Sequence, residues 1–287
     1  MVYRSTIQLL RFHFSFFLMP VYWFALSFAD NIYLPRAILV FIILHLLVYP
    51  SSNGYNSFMD KDADSIGGLK KPLQPTRQLF FVSVIMDMTA IALSLFVSHL
   101  FTFCVSIYII CSRLYSYRGV RLKRYPILGY LTVIINQGAL TFFMVNHGSE
   151  IYLTNHMSWL GLLAAAFLIG GFYPITQVYQ HEADKKDNVT TISMLLGKKH
   201  TFIFCAVMYM IAMIILWLYY SARELYMPFI VLLIFFLPVV VYFMQWFLKV
   251  LKDNNKADFK HTMQMNWLAS TCTSLAFITI ILLKRFG

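Results

Sequence analysis

The sequence predicts an all-α, polytopic membrane protein with nine transmembrane helices. Three observations carry this. Of 287 residues, 60% are hydrophobic and only 12% are charged, about half the charged fraction of an ordinary soluble domain. Mean hydropathy is +0.68. The apolar residues fall in long uninterrupted runs, as helices crossing a hydrocarbon core of ~30 Å require.

The runs place nine spans in one domain over residues 1–287, at roughly 12–29, 36–57, 78–97, 99–115, 127–146, 157–180, 201–220, 227–248 and 264–283. The first ends in Ala25-Leu26-Ser27-Phe28-Ala29, which resembles a signal-peptide cleavage site. Eight further spans follow, so an uncleaved first helix is expected. Spans three and four are joined only by Ser98, His99 and Leu100, which predicts a tight antiparallel hairpin. The 27 Phe and 18 Tyr suit lipid-facing surface, and equally an apolar cavity. Cys104, Cys111, Cys205 and Cys272 lie inside spans without a CxxC or Cys/His spacing, and read as small hydrophobes. His45 and His99 read as structural or interfacial.

Placing the N-terminus inside puts 19 of the 23 Lys and Arg residues on the inner side. Only Arg36, Arg223, Lys284 and Arg285 remain outside. That asymmetry across short loops predicts a cytoplasmic N-terminus and an outer C-terminus, in a multi-pass protein of the cell's inner or plasma membrane. It also accounts for the net charge of +11 without a nucleic-acid partner. The acidic residues share the bias: Asp60, Asp62, Asp64, Glu182, Asp184, Asp187, Asp253 and Asp258 are all expected inside. Most of them occupy two short segments, at the ends of spans two and six. Carboxylates gathered at the mouth of a helical bundle are costly unless cations compensate them.

In the first segment, continued helix at about 100° per residue would put Asn53, Asn56, Asp60 and Asp64 within a sector of roughly 80°. Asp62 would point to the opposite side. Oxygen ligands in a row, with no His or Cys nearby, favour Mg²⁺ over zinc. In the second segment, Tyr173, Gln177, Gln180, Asp184 and Asp187 would share a similar face, with His181 and Glu182 off it. Two such faces at one membrane depth can converge on one metal-bridged anion. Lys70, Lys71, Arg77, Arg121, Lys123, Arg124, Lys185 and Lys186 follow or interleave the acids, so a diphosphate could be clamped. No Walker-type glycine loop is present. The plain alternative is solvated loop charge near membrane ends, which two oxygen-rich faces in register make the weaker reading.

At these residues the chain resembles the UbiA superfamily of intramembrane prenyltransferases. Its first signature, NxxxDxxxD between helices two and three, is matched by Asn56, Asp60 and Asp64, followed by Lys71-Pro72-Leu73. The second appears as Gln180, Asp184, Asn188 and Thr191, ending at Leu196-Gly197. The loop between helices four and five, Leu114 to Tyr117 and then Arg121 to Gly129, is similar too. Two departures stand out. Gln180 replaces the usual first Asp of the second motif and Asn188 its Gly, with Asp187 one turn away able to supply a carboxylate.

The resemblance implies a bundle around a central cavity and an Mg²⁺-dependent transfer. A polyprenyl diphosphate donor sits head-first at the cytoplasmic mouth, and an aromatic or otherwise lipophilic acceptor captures the allylic cation. The implied metal ligands are Asn56, Asp60, Asp64, Gln180, Asp184 and Asp187, of which Asp60, Asp64 and Asp184 are the catalytic core. Lys71, Arg121 and Lys123 are the expected diphosphate contacts. Asp87, an acid within span three, is a cavity candidate because ionisable groups at membrane depth usually serve function. Asn136, Gln137, Tyr173 and Gln177 are further cavity candidates. Two other readings compete. One is a cyclase, which keeps the ionisation step and closes the cation on itself. The other is a cation-coupled transporter, which would show midplane acids and internal repeats; Asp87 is the only intramembrane acid and no repeat is evident.

Overall fold

Apolar runs long enough to cross a bilayer become nine helices in the computed structural model, which describes residues 2–61, 64–153 and 158–286. They are α1 (Arg4–Phe28), α2 (Leu34–Asp60), α3 (Arg77–Ser94), α4 (His99–Ser116), α5 (Pro126–Ser149), α6 (Trp159–Ile175), α7 (Lys198–Ser221), α8 (Tyr226–Lys252) and α9 (Phe259–Phe286). Eight are long and apolar enough to span by themselves, and α6 is a shorter apolar helix. Among the described residues the only β pairing is two isolated bridges. Asp62, and residue 157 where the sixth span was expected to begin, lie outside the described residues.

The helices depart from regular α geometry at informative places. Arg11 takes a left-handed conformation at φ 49° and separates a short amphipathic start from the main body of α1. In α2 and α5, residues Ile42–Val48 and Ile134–Leu140 wind as π-helix, a geometry frequent near functional sites. Side-chain hydroxyls take up carbonyls of these widened turns. Ser15 donates to the His45 carbonyl at 3.0 Å, and Thr141 donates to that of Asn136 at 2.8 Å. The sixth span, expected to run to 180, ends at Ile175 because Pro174 cannot continue the hydrogen-bond ladder.

Packing closes the helices into a ring. Helix α6 runs along α7 and the π segment of α5, α8 along α9, and α9 returns to α1, while α2 packs on α3. Gly138 lets α5 and α6 meet backbone to backbone, since a Cβ there would fall 2.8 Å from the Ala165 carbonyl oxygen. Phe24, Phe142 and Phe277, fully or nearly buried, join α1, α5 and α9 through ring contacts of 5.0 and 4.7 Å. The outer faces carry exposed Phe81, Ile85, Phe103 and Leu237, a surface suited to lipid. Of the cysteines, Cys104 and Cys205 are buried and Cys111 and Cys272 partly so, all as free thiols.

Both acidic segments lie at one end of the bundle, where Arg121 of the α4–α5 loop reaches Asp60 and Asp187 together. At the other end Glu150 accepts from the backbone N–H groups of Asp30 and Asn31, and Lys284 donates to Ala29.

Candidate active site

Helix α2 delivers its polar face to a cavity of about 210 Å³ that opens between the two acidic segments. Asn56 and Asp60 both line it, about one turn apart. The helix stops at Asp60, because Lys61 turns left-handed at φ 55° and its N–H caps the Ser57 carbonyl. The expected helical stack of Asn56, Asp60 and Asp64 therefore does not form. Asp64 lies exposed outside the cavity lining, 3.5 Å from the Lys186 ammonium.

The second segment reaches the same wall by a different route. Beyond Ile175 the chain passes through turns to a short helix, His181–Lys186. The single continuous face expected over 173–187 is thus broken, yet Tyr173, Gln177, Gln180, Asp184 and Asp187 all line the cavity. Asn188 closes this segment at φ 53°. Asn is the residue other than Gly that enters this left-handed region most readily, so its replacement of a glycine keeps the turn.

Basic side chains already compensate the acids. Lys123 pairs with Asp60, the two side chains being only 12% and 4% exposed, and it also reaches Asn56 Oδ1 at 3.5 Å. Arg121, itself left-handed at φ 52°, pairs with Asp187 and lies 3.5 Å from Asp60 Oδ1. Arg118 adds a third clamp, donating to the Met59 carbonyl at 2.7 Å and facing Asp187 at 3.4 Å. Ser116 donates to Asn56 Oδ1 at 2.7 Å, fixing that amide. Sequence reasoning counted Arg118 only as loop charge, and Arg11 likewise. Yet Arg11 lines the cavity, donating to the carbonyls of Gly67 and Asn53 at 3.3 Å each.

Three expected contacts fall outside the cavity lining, and of these Arg121 touches it only through Asp60 and Asp187. Lys71 is exposed and away from the cavity lining. Asp87 is not on the cavity wall; Arg113 of α4 pairs with it and Ser51 donates to it, a buried network joining α2, α3 and α4. Asn136 and Gln137, on the π segment of α5, do line the cavity, as does Tyr173, whose hydroxyl meets that of Tyr115. The walls also include Phe14, Tyr108 and Phe172.

Among the described residues no three His, Cys, Asp or Glu side chains form a preassembled metal cage. Mg²⁺ does not require one, since it takes one or two carboxylates and completes its shell with water and phosphate oxygens. The donor set of Asn56, Asp60, Asp184, Asp187 and Gln180 is all hard oxygen and fits such an ion.

A family model described as the UbiA prenyltransferase family matches residues 17–269. A UbiA homolog from Archaeoglobus fulgidus, bound to DMAPP and Mg²⁺, superposes with a TM-score of 0.71 at 18% identity, over 96% of this chain and 99% of that one. The apo form of a UbiA homolog from Aeropyrum pernix K1 gives 0.70 at 17% identity, over 96% and 98%. A structure concerned with digeranylgeranylglyceryl phosphate synthase gives 0.62 at 20% identity, over 97% and 98%. At these identities the likeness is one of fold. No curated protein matches the chain significantly.

Proposed function

The chain belongs to the UbiA prenyltransferase family, and from that premise we propose that it moves a polyprenyl group from its diphosphate to a lipophilic, aromatic acceptor inside the bilayer. The observation that carries this is the meeting of Asp60, Asp187, Arg121 and Lys123 at the mouth of a cavity with aromatic inner walls.

The donor enters head-first. Lys123, which lines the cavity, would hold the diphosphate oxygens, with Arg121 and Arg118 behind it on Asp187, while Asn56, Asp60 and Asp184, with Gln180 and Asp187, would hold Mg²⁺. When bound, Mg²⁺ supplies positive charge against that building on the departing diphosphate. The C1–O bond of the donor breaks and its electron pair leaves with the diphosphate. Apolar and aromatic walls, including Tyr108 and Phe172, exclude water from the allylic cation, and π-faces favour a cation. The acceptor's electron pair forms the new bond to C1 and the acceptor releases a proton. Asp64 and Lys71 stand outside this arrangement. The excess of Lys and Arg at the mouth supports a cytoplasmic orientation of this end, with the C-terminus across the membrane.

Purified protein with Mg²⁺, a series of prenyl diphosphates and a pool of aromatic and lipid acceptors should yield prenylated products identifiable by mass. Absence of diphosphate release with every donor would overturn the assignment. Products formed without any acceptor would instead favour cyclisation.

A further inference from the structure

Four amide side chains in the cavity wall keep buried polar atoms without hydrogen-bond partners, among them Asn136 of α5 through its Oδ1. Asn266 of α9 is fully buried, and neither its Oδ1 nor its Nδ2 is bonded. Gln177 is 5% exposed with an unbonded Oε1, and Asn53 of α2 has an unbonded Nδ2. All four line the same cavity as Asp60 and Asp184, and they come from four separate parts of the bundle. Buried polar atoms left unpaired destabilise a fold. Their presence in one wall points to a ligand that satisfies them.

Their depth says which ligand. Asn53 precedes Asp60 by about two helical turns, so it sits about 10 Å further into the bundle along α2. Charged groups at the mouth suit the diphosphate. Amide groups beyond Asp60, such as Asn53, suit whatever meets the donor's reacting carbon, as the prenyl-transfer reading on which this inference rests requires.

The chemistry of the layer is mixed. Asn136 Oδ1, Asn266 Oδ1 and Gln177 Oε1 accept hydrogen bonds, while Asn266 Nδ2 and Asn53 Nδ2 donate. A hydroxyl both gives and takes, and so matches this set. A carboxylate only accepts, and would face three amide oxygens with no proton between them. Arg11 is the cation in this part of the wall, and its guanidinium is directed onto the main-chain carbonyls of Gly67 and Asn53. Phe14, Tyr108 and Phe172 offer flat surfaces for a ring.

We infer that Asn53, Gln177 and Asn266 form the acceptor subsite, and that it takes an uncharged hydroxylated aromatic, a phenol or quinol, in preference to an aromatic carboxylate.

The test is equilibrium dialysis of the full-length chain in detergent near neutral pH, without prenyl donor, using 2-naphthol and 2-naphthoate as probes. The wild type should bind 2-naphthol at least about tenfold more tightly than 2-naphthoate. Asn266→Leu and Gln177→Leu should each weaken 2-naphthol about tenfold, while binding of inorganic diphosphate with Mg²⁺ stays unchanged. Asn266→Leu should also raise the thermal midpoint of the ligand-free protein, because it removes two unpaired buried polar atoms; Asn53→Leu serves as the second variant if that one misfolds. Equal binding of the two probes overturns the proposal. So does an Asn266→Leu protein with undiminished 2-naphthol affinity, which would mean that the amides serve a bound water instead. Failure here is separable from failure of the prenyl-transfer reading, which is decided by diphosphate release from a prenyl donor.

Discussion

Lys123, in the loop between α4 and α5, holds Asp60 at the end of α2 in an ion pair almost closed to solvent. Two charges so buried are each held by the other, and breaking such a pair leaves the survivor uncompensated. Asp60→Ala should therefore do two things. Transfer should fall at least about 100-fold, the scale of losing one electrostatic contact to a developing charge. Stability in detergent should also fall, by about 3–5 kcal/mol. Steady-state turnover and thermal melts measure the two effects separately; full activity in the variant would remove Asp60 from the site.

Metal dependence should appear as a linked stabilisation. Mg²⁺ with inorganic diphosphate should raise the melting temperature well above either alone, because Asn56, Asp60 and Asp184 would hold the ion together with the anion. At about 100 times the dissociation constant the gain is about 2.7 kcal/mol. EDTA should abolish it. A protein stabilised equally by diphosphate with EDTA present would need only its basic residues.

Asp87 and Arg113 should behave as structure. Asp87→Leu alone strands the Arg113 guanidinium, whose side chain is 19% exposed, and should cost about 3–5 kcal/mol. Adding Arg113→Met should recover most of the loss, because an apolar pair of similar volume often replaces a buried ion pair without penalty. A double-mutant cycle on melting temperature reads the coupling. If Asp87→Asn abolished turnover while leaving the melt unchanged, the network would have a chemical role instead.

The acidic limb of stability should involve His181. Partial burial, together with the nearby Lys198, lowers its pKa to about 4, and its ring meets the Ser193 hydroxyl at 2.8 Å. The unfolded chain, with a histidine near its ordinary value of about 6.5, binds the proton more readily than the folded one. Stability from this group is thus complete above about 6.5 and is lost as the pH falls toward 4. His181→Asn should flatten that part of a melting-temperature profile. An identical slope in both proteins would place the acid sensitivity elsewhere.

Gly138→Leu should pry α5 from α6. A Cβ at that position already meets the Ala165 carbonyl oxygen and Ala166 Cα at 2.8 Å, both main-chain atoms that cannot rotate away. Overpacking of this kind costs about 1–3 kcal/mol, and the shift would move Asn136 and Gln137 in the cavity wall. Melting and turnover should fall together.

The nine helices were legible in the sequence because bilayer thickness imposes a length and the chain shows it in apolar runs. Asn56 and Asp60 were legible because a helical period places them on one face. Asp64 was not, since a helical wheel cannot see that Lys61 leaves the helix with φ 55°. The second segment is the instructive case. The wheel placed Tyr173 through Asp187 on one face, the backbone abandons that helix at Ile175, and the residues still reach one wall. Asp87 misled for a plain reason, because an acid inside a span signals either function or a partner, and Arg113 is 26 residues away in sequence. Asn266 gave almost no signal, being one of two amides, with Gln264, near the start of an apolar helix, and its importance lies in what it fails to touch.

The π-helical stretch Ile42–Val48 lies upstream of every polar residue that α2 gives to the cavity. Each residue of a helix rotates the remainder of that helix by about 100°. Letting that stretch tighten into ordinary α-helix with no residue removed would swing Asn53, Asn56 and Asp60 off the wall without changing any of them. The aim of the acidic motif is thus stored as a winding, in a segment that never meets the substrate.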